Sequence, residues 1–149
     1  MTSFNVLLTK AIQESRKNGI SSKIPLEGCN IRDIEEVMEA QSIFYLPEIY
    51  KDFLLIVGKS SGGWFLGSDV SIRFLRGVKE SFKEELEWNN AWDDNYKNIF
   101  IFMGHQGYVF YFFYTNKKEI DPIVYRYMEG VVKSCEIQLS EFLLHQKFC

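Results

Sequence analysis

The sequence predicts an α+β domain with a mainly antiparallel sheet of about four to six strands flanked by helices. Helical periodicity dominates the first part of the chain, whereas runs of strand length separated by turn residues dominate residues 99 to 137. Sequential strands joined by tight turns usually pair antiparallel. The 149 residues are 46% hydrophobic and 16% aromatic, so we expect one domain spanning residues 1 to 149.

Two amphipathic helices are expected before residue 40. The first covers residues 3 to 18, with Ser3 as its N-cap and Gly19 as its stop. The second follows Asn30, whose side chain suits an N-cap, and it separates an apolar face from an acidic face. The apolar face consists of Ile31, Ile34, Val37 and Met38.

A third helix is marked at both ends. Pro47 suits the first turn of a helix, because its φ is fixed and its missing N–H would have no partner there. Apolar residues then recur at i, i+3, i+4 and i+7 from Tyr50 to Val57. We expect Gly58 to end this helix in the left-handed conformation.

The periodicity changes after the third helix. Trp64 to Leu66 form an apolar run, and residues 67 to 69 suit a turn. Val70, Ile72 and Phe74 then alternate with polar residues, so we expect two strands or one bent strand. Apolar residues spaced four apart from Val78 to Leu86 then predict a solvent-exposed amphipathic helix. A polar loop carrying Trp92 follows it.

A β-hairpin is expected from Ile99 to Tyr114, with residues 104 to 107 as its loop. Its second strand, Tyr108 to Tyr114, is apolar or aromatic throughout. This composition fits a central strand covered on both faces, or one face that offers aromatic rings to a partner. Strands over residues 123 to 127 and 131 to 137, and a closing helix from Leu139 to His145, complete the predicted fold.

The three cysteines, Cys29, Cys135 and Cys149, are odd in number and form no C-x-x-C pair. This spacing indicates neither a zinc site nor a disulfide framework, so we expect reduced thiols in a cytoplasmic protein without metal or cofactor. No secretory signal and no apolar run of the ~20 residues that span a bilayer is visible, so no membrane partner is expected. The net charge of −3 argues against general nucleic-acid binding.

A particular order of motifs extends over most of the chain. An acidic amphipathic helix at residues 31 to 39 precedes the pattern Leu-Pro-x-x-Tyr-x-x-Phe-Leu, which begins at Leu46. A glycine break and the run Trp64-Phe65-Leu66 follow, and residues 137 to 143 loosely match a closing Ser-Phe-x-x-Phe-Leu segment. In this order the chain resembles the SUKH (Smi/Knr-type) superfamily over residues 31 to 148, with the N-terminal helix at residues 3 to 18 as an extension.

The resemblance implies an α+β fold and no enzymatic activity common to the family. Bacterial members of this family resemble immunity proteins that bind and neutralise polymorphic or contact-dependent toxins, often nucleases. Related fungal proteins look like regulatory scaffolds linked to cell-wall glucan synthesis. We therefore expect a non-enzymatic antitoxin whose partner is a cognate toxin domain, with a regulatory scaffold as the alternative. A small-molecule binder or an enzyme is a third hypothesis, and the oligomeric state is open.

Acidic residues and tryptophans cluster between residues 84 and 94. An immunity protein that faces a basic nuclease needs carboxylates that imitate phosphates and accelerate encounter, and an exposed tryptophan can anchor an interface. Alternatively, the glutamates only solvate a helix and both tryptophans pack inward. The candidate protein-binding residues are Glu84, Glu85, Glu87, Trp88, Trp92, Asp93 and Asp94.

No catalytic motif accompanies this cluster. His105 lies in the predicted hairpin loop and His145 in the closing helix, and the sequence indicates no positioned partner for either ring. The sequence contains no H-E-x-x-H motif and no phosphate-binding loop. We therefore expect no catalytic residues.

Overall fold

A computed structural model describes residues 3 to 17 and 23 to 149. The helices are α1 (Phe4–Ser15), α2 (Ile31–Ala40), α3 (Glu48–Val57), α4 (Ile72–Leu75), α5 (Val78–Trp88) and α6 (Leu139–His145), with a 3-10 helix at Asp94–Asn98. The strands are β1 (Leu26–Glu27), β2 (Ser60–Ser61), β3 (Ile99–His105), β4 (Val109–Tyr114), β5 (Ile123–Met128) and β6 (Val131–Gln138). The predicted α+β class, with an antiparallel sheet flanked by helices, is confirmed.

Strands β3 to β6 form a four-stranded antiparallel sheet in chain order, and β1 pairs with β2 in a separate ribbon. β4 is a central strand, in which Phe112 pairs with Ile101 on one side and Tyr125 on the other. Five of its six residues are buried. The strand is therefore covered on both faces, which confirms the first of the two interpretations of its aromatic composition.

The sheet separates two hydrophobic clusters. The large cluster covers the face to which Phe100, Phe102 and Phe113 contribute, and it includes residues of α1, α2, α3 and α6. The small cluster covers the opposite face, where α5 and the 3-10 helix pack. Successive side chains of a strand point to opposite faces, so β3 and β4 supply residues to both clusters.

The predicted N-cap residues of α1 and α2 behave differently. Asn30 caps α2 as expected, since its Oδ1 accepts from the N–H of Asp33 at 2.9 Å, and the Asp33 carboxylate accepts from the N–H of Asn30 at 3.0 Å. The Ser3 hydroxyl donates to the Asn5 side chain and does not cap the α1 backbone. Residue 18 and Gly19, the predicted end of the first helix, lie outside the described residues.

The prediction of a left-handed Gly58 is wrong, because this residue has a right-handed φ of −55°. Its glycine identity has a different cause. A Cβ at this position would lie 2.5 Å from the carbonyl oxygen of Leu54 and 2.8 Å from Cys29 Sγ. Gly58 therefore allows Cys29 to approach the end of α3 closely.

The strands predicted between Trp64 and Phe74 do not form. Residues 62 to 67 make successive turns, and Ile72–Leu75 is the short helix α4. The N–H of Leu75 donates to Ser71 at 3.0 Å, which is a local helical bond and not part of a sheet ladder. Ile72 and Leu75 are both buried within this helical turn. The apolar residues of the segment therefore lie in turns and a short helix, and not in a strand.

The hairpin between β3 and β4 is confirmed, but its loop is shorter than predicted. His105 pairs with Val109, so the loop contains residues 106 to 108 instead of 104 to 107. Gln106 and Gly107 both have positive φ, at 54° and 81°. His105 consequently lies in the last position of β3 and not at the tip of the loop.

The prediction of reduced thiols is wrong for two of the three cysteines, since Cys135 and Cys149 form a disulfide. The carbonyl of Cys149 also accepts from Arg126 Nη1 at 2.8 Å, which draws the chain end towards the sheet. Cys29 is a free, buried thiol, and burial raises its pKa to about 11. The sequence spacing gave no indication of the disulfide, because folding alone brings β6 and the chain end together.

The outer edge of β3 is covered by polar side chains. The Gln41 side chain donates to the carbonyl of Ile101 and accepts from the N–H of the same residue, both at 2.8 Å, as a neighbouring strand would. Lys79 Nζ donates to the carbonyl of Ile99 at 2.8 Å, and Asp69 forms an isolated bridge with Gly104. These contacts satisfy backbone groups that an open edge strand would expose.

Candidate protein-binding surface

Helix α5 is held against the sheet by three buried residues spaced four apart: Val78, Phe82 and Leu86. The ring of Phe82 contacts the rings of Tyr96, Phe110, Phe112 and Tyr127, with centroid distances of 5.4 to 5.8 Å. Such ring contacts add stabilisation beyond burial alone. The predicted amphipathic helix is confirmed, and its outer side faces solvent.

Trp88 is the last residue of α5 and is 86% exposed. Residues four apart share one side of a helix, so Trp88 lies beside Glu84. Glu85 is half-buried on the same side, and its Oε1 accepts from Asn89 Nδ2 at 3.2 Å. Asn89 Nδ2 also lies 3.2 Å from the hydroxyl of Tyr127, which places this side of α5 towards β5. We call Glu84, Glu85 and Trp88 the Trp88 face.

The other predicted residues lie on the opposite flank of α5. Trp92 is half-buried against the small cluster, with its ring 6.0 Å from that of Tyr96. Lys83 Nζ lies 5.1 Å from the centroid of the Trp92 ring, a cation–π distance, and 3.9 Å from Glu87 Oε1. We call Glu87, Trp92, Asp93 and Asp94 the Trp92 flank.

The two aspartates of the Trp92 flank have local partners. The Asp93 carboxylate accepts from the N–H of Asn95 at 2.8 Å and caps the 3-10 helix. Asp94 Oδ1 lies 3.6 Å from Lys97 Nζ. Cations therefore partly neutralise this flank. On the Trp88 face, by contrast, neither glutamate forms an ion pair within residues 3 to 17 and 23 to 149.

The structure thus divides the seven predicted residues between two flanks. Lys83, beside Trp92, and Trp88 are five residues apart, which corresponds to about 140° around a helix. Trp92 packs inward and Trp88 does not. A single partner that used both tryptophans would have to wrap around α5.

The histidines and the cysteines lie in different parts of the fold. His105 Nδ1 lies 3.2 Å from Ser68 Oγ, and His145 is exposed at the end of α6. Burial disfavours the thiolate of Cys29, and the disulfide leaves no thiol on the other two cysteines. Within the described ranges, no group of three or more His, Cys, Asp or Glu residues could hold a metal ion.

Two features of the surface were missed by sequence reasoning. An open cleft of about 380 Å³ lies beside the start of β5, where Asn98, Asn116 and Tyr125 line it. Phe44 is 97% exposed, although its residue type favours burial. The sequence carries no signal for either, because the cleft forms where the 3-10 helix, the loop after β4 and the start of β5 meet, and the direction of Phe44 depends on a turn.

No protein-family model, curated protein or solved structure matches this chain. Among the helices in the described parts of the chain, none has the length and apolar character needed to cross a membrane.

Proposed function

We propose that this protein is a non-enzymatic immunity protein that binds a toxin domain, with a nuclease as the expected target, through the Trp88 face. The observation that carries the proposal is Trp88, which is 86% exposed beside two glutamates. Burying an indole ring at an interface recovers apolar surface that the free protein leaves in water. Tryptophan is also enriched among the residues that dominate binding energy.

Glu84 and Glu85, which form no ion pair within the described residues, suit a basic partner. A nuclease surface that receives phosphates is rich in Lys and Arg, and Glu84 and Glu85 would attract it over long range and raise the association rate. Neutralisation would then be steric and stoichiometric and would need no cofactor. The proposal agrees with the resemblance to the SUKH superfamily and assigns the protein to the cytoplasm, without a nucleic-acid or membrane partner.

The disulfide bears on this location, because disulfides are rare in a reducing cytoplasm. Cys135 and Cys149 lie on β6 and at the chain end, and neither belongs to the Trp88 face. We therefore expect the proposed binding surface to work with the pair oxidised or reduced.

The first experiment is co-expression of this chain with the C-terminal domain of whatever large secreted protein is encoded beside it. We expect one-to-one binding and rescued growth. Trp88→Ala is expected to weaken binding by about 30-fold or more, which corresponds to about 2 kcal/mol. The matched control is Leu66→Ala, since Leu66 is also strongly exposed (69%) but lies on a turn outside α5.

Charge reversals separate the two flanks. The double variant Glu84→Lys with Glu85→Lys is expected to slow association, whereas Asp93→Lys with Asp94→Lys is expected to leave it nearly unchanged. Isothermal titration and stopped-flow mixing measure both variants. Loss of binding only in the aspartate variant would move the interface to the Trp92 flank. No binding and no rescue by the wild type would overturn the immunity proposal.

The alternative function is a regulatory scaffold. Phe44 favours it, because this strongly exposed ring is not part of the Trp88 face and offers a second contact surface. A scaffold would bind two different proteins at the same time. Competition between two such proteins for the Trp88 face would contradict this alternative.

A further inference from the structure

The exposure of Phe44 is imposed by the backbone. Two hydrogen bonds end α2: the N–H of Ser42 donates to Glu39 and the N–H of Ile43 donates to Met38, each at 3.0 Å. Ser42 has a φ of 56°, so this is the Schellman arrangement with a left-handed residue after the C-cap. The chain therefore leaves α2 in a fixed direction.

The residues on both sides of Phe44 are also fixed. Ile43 and Leu46 are buried in the large cluster. The hydroxyl of Tyr45 donates to the carbonyl of Glu119 at 2.8 Å. Phe44 thus projects from a rigid turn into solvent, which is the pre-organised form of an interface anchor. Ile120, the residue after Glu119, is a further exposed apolar side chain (79%).

Clefts lie on both sides of Phe44, and they differ in charge. The cleft beside α2 measures about 470 Å³ and has Met38 and Ile43 as apolar lining, with Glu35 and Glu39 as its charged residues. The cleft on the sheet side measures about 180 Å³, and its charged residues are Lys97 and Lys118. The first is acidic and the second is basic.

Three of these four charges lack a partner. Within the described residues, Glu35, Glu39 and Lys118 form no ion pair, whereas Lys97 lies 3.6 Å from Asp94. The patch therefore consists of an exposed ring with unpaired negative charge on one side and unpaired positive charge on the other.

We propose that this patch binds a second copy of the chain in a two-fold symmetric dimer. In such a dimer the same patch meets itself, so a residue i that contacts j is matched by j contacting i. Rotation by the two-fold axis places the basic side of one copy against the acidic side of the other. Phe44 of each copy then enters the apolar cleft beside α2 of its partner, and Lys118 of each copy faces Glu39 of the other.

Charge complementarity favours a second copy over another protein. A patch with one sign of charge would repel its own copy, whereas this patch carries both signs on opposite sides of its apolar centre. Phe44 lines the cleft of its own chain without filling it, because its turn directs the ring outward. A second copy supplies both the missing ring and the missing charges.

Analytical ultracentrifugation of the full chain from ~1 to ~100 µM tests the dimer. We expect the mass to approach twice 17.5 kDa as concentration rises. Phe44→Asp is expected to weaken association by about 30-fold or more. Leu66→Asp, at another exposed apolar side chain, is the control and is expected to dimerise as the wild type does. Circular dichroism checks that both variants fold.

A charge swap tests the orientation of the two copies. Glu39→Lys and Lys118→Glu are each expected to weaken the dimer by about tenfold, because like charges then face each other. The double variant restores opposite charges and is expected to recover most of the affinity. A double variant no better than the worse single variant would overturn this arrangement.

Two further outcomes would overturn the proposal. One is a wild type that stays monomeric at every concentration. The other is a dimer that Phe44→Asp leaves intact. If the wild type is monomeric and Phe44→Asp abolishes binding of the toxin domain, the patch instead belongs to that other protein. Failure of Trp88→Ala to affect toxin binding would bear only on the proposed function, since Trp88 is not part of this patch.

Discussion

The two faces of the sheet are covered in different ways. On the face of the large cluster, α1, α3 and α6 pack against one another, and α3 and α6 also pack against the sheet. On the face of the small cluster, α5 is the main cover and the 3-10 helix adds Tyr96 at its margin. A helix within a layer of helices hides most of its surface, whereas a helix that lies alone keeps one side free. The single-helix face therefore carries the proposed binding surface.

The position of the proposed binding surface also depends on few contacts. Everything on the Trp88 face is positioned by the buried side of α5, chiefly by Phe82. On the face of the large cluster, several helices and the chain end share the packing contacts. The two faces should therefore respond differently to the loss of one ring.

The largest effect is expected from removing that ring. Phe82→Ala should lower the free energy of unfolding by about 3–5 kcal/mol, because Phe82 is fully buried. Phe53→Ala, at a fully buried ring of α3, is the matched variant and should cost a similar amount. Urea unfolding measures both. Hydrogen exchange should show local loss of protection in α5 for Phe82→Ala only. Equal loss over both faces would mean that they open as one unit.

The next effect concerns the chain end on the face of the large cluster. Phe148 contacts the rings of Phe65, Tyr111 and Phe142, and the disulfide keeps it there. Closing a loop of about 15 residues stabilises a protein by about 3 kcal/mol. Cys135→Ser should lower the free energy of unfolding by about this amount, and reductant should lower that of the wild type to the same value.

Reductant should leave the free energy of unfolding of Cys135→Ser unchanged. This variant therefore serves as the control for effects of reductant other than reduction of the disulfide. Urea unfolding with and without reductant provides the measurement. Wild-type protein whose stability does not respond to reductant would show that packing of Phe148 alone holds the chain end.

A smaller effect is expected at the edge of β3. Gln41→Met keeps the side-chain volume but leaves the N–H and carbonyl of Ile101 without the partners that Gln41 supplies. An unsatisfied buried backbone group costs about 1–3 kcal/mol, so we expect a loss of about 2 kcal/mol in urea unfolding. Gln138→Met, at an exposed glutamine, should cost less than about 0.5 kcal/mol. Equal costs would mean that water replaces Gln41.

The smallest effect is a pH dependence at Lys79. Burial lowers the pKa of Lys79 from 10.5 to about 8, so the unfolded chain binds this proton more tightly than the folded protein does. Where the unfolded state binds more protons, stability rises with pH. The contribution of Lys79 should therefore rise between about pH 8 and pH 10.5.

Urea unfolding across this interval checks the prediction. Lys79→Met should remove the rise, whereas Lys83→Met, which deletes an exposed charge from the same helix, should keep it. Identical pH profiles for wild type and Lys79→Met would mean that the three carbonyls that accept from Lys79 keep it protonated in the folded protein.

The sequence by itself determined the elements whose pattern is local. The capping residue Asn30, the spacing of Val78, Phe82 and Leu86, and the fully apolar strand β4 all identify their structures, because helix and strand periodicity show directly which side is buried. These patterns were sufficient for the fold class and for the exposed acidic helix.

Only the tertiary structure decided the features that depend on distant contacts. The segment containing Phe65 and Ile72 became turns and a short helix because burial against the large cluster outweighed local alternation. The pairing of Cys135 with Cys149 and the opposite orientations of Trp88 and Trp92 required the folded chain. Sequence spacing fixes neighbours along one element, but burial and pairing between elements are decided by how those elements pack.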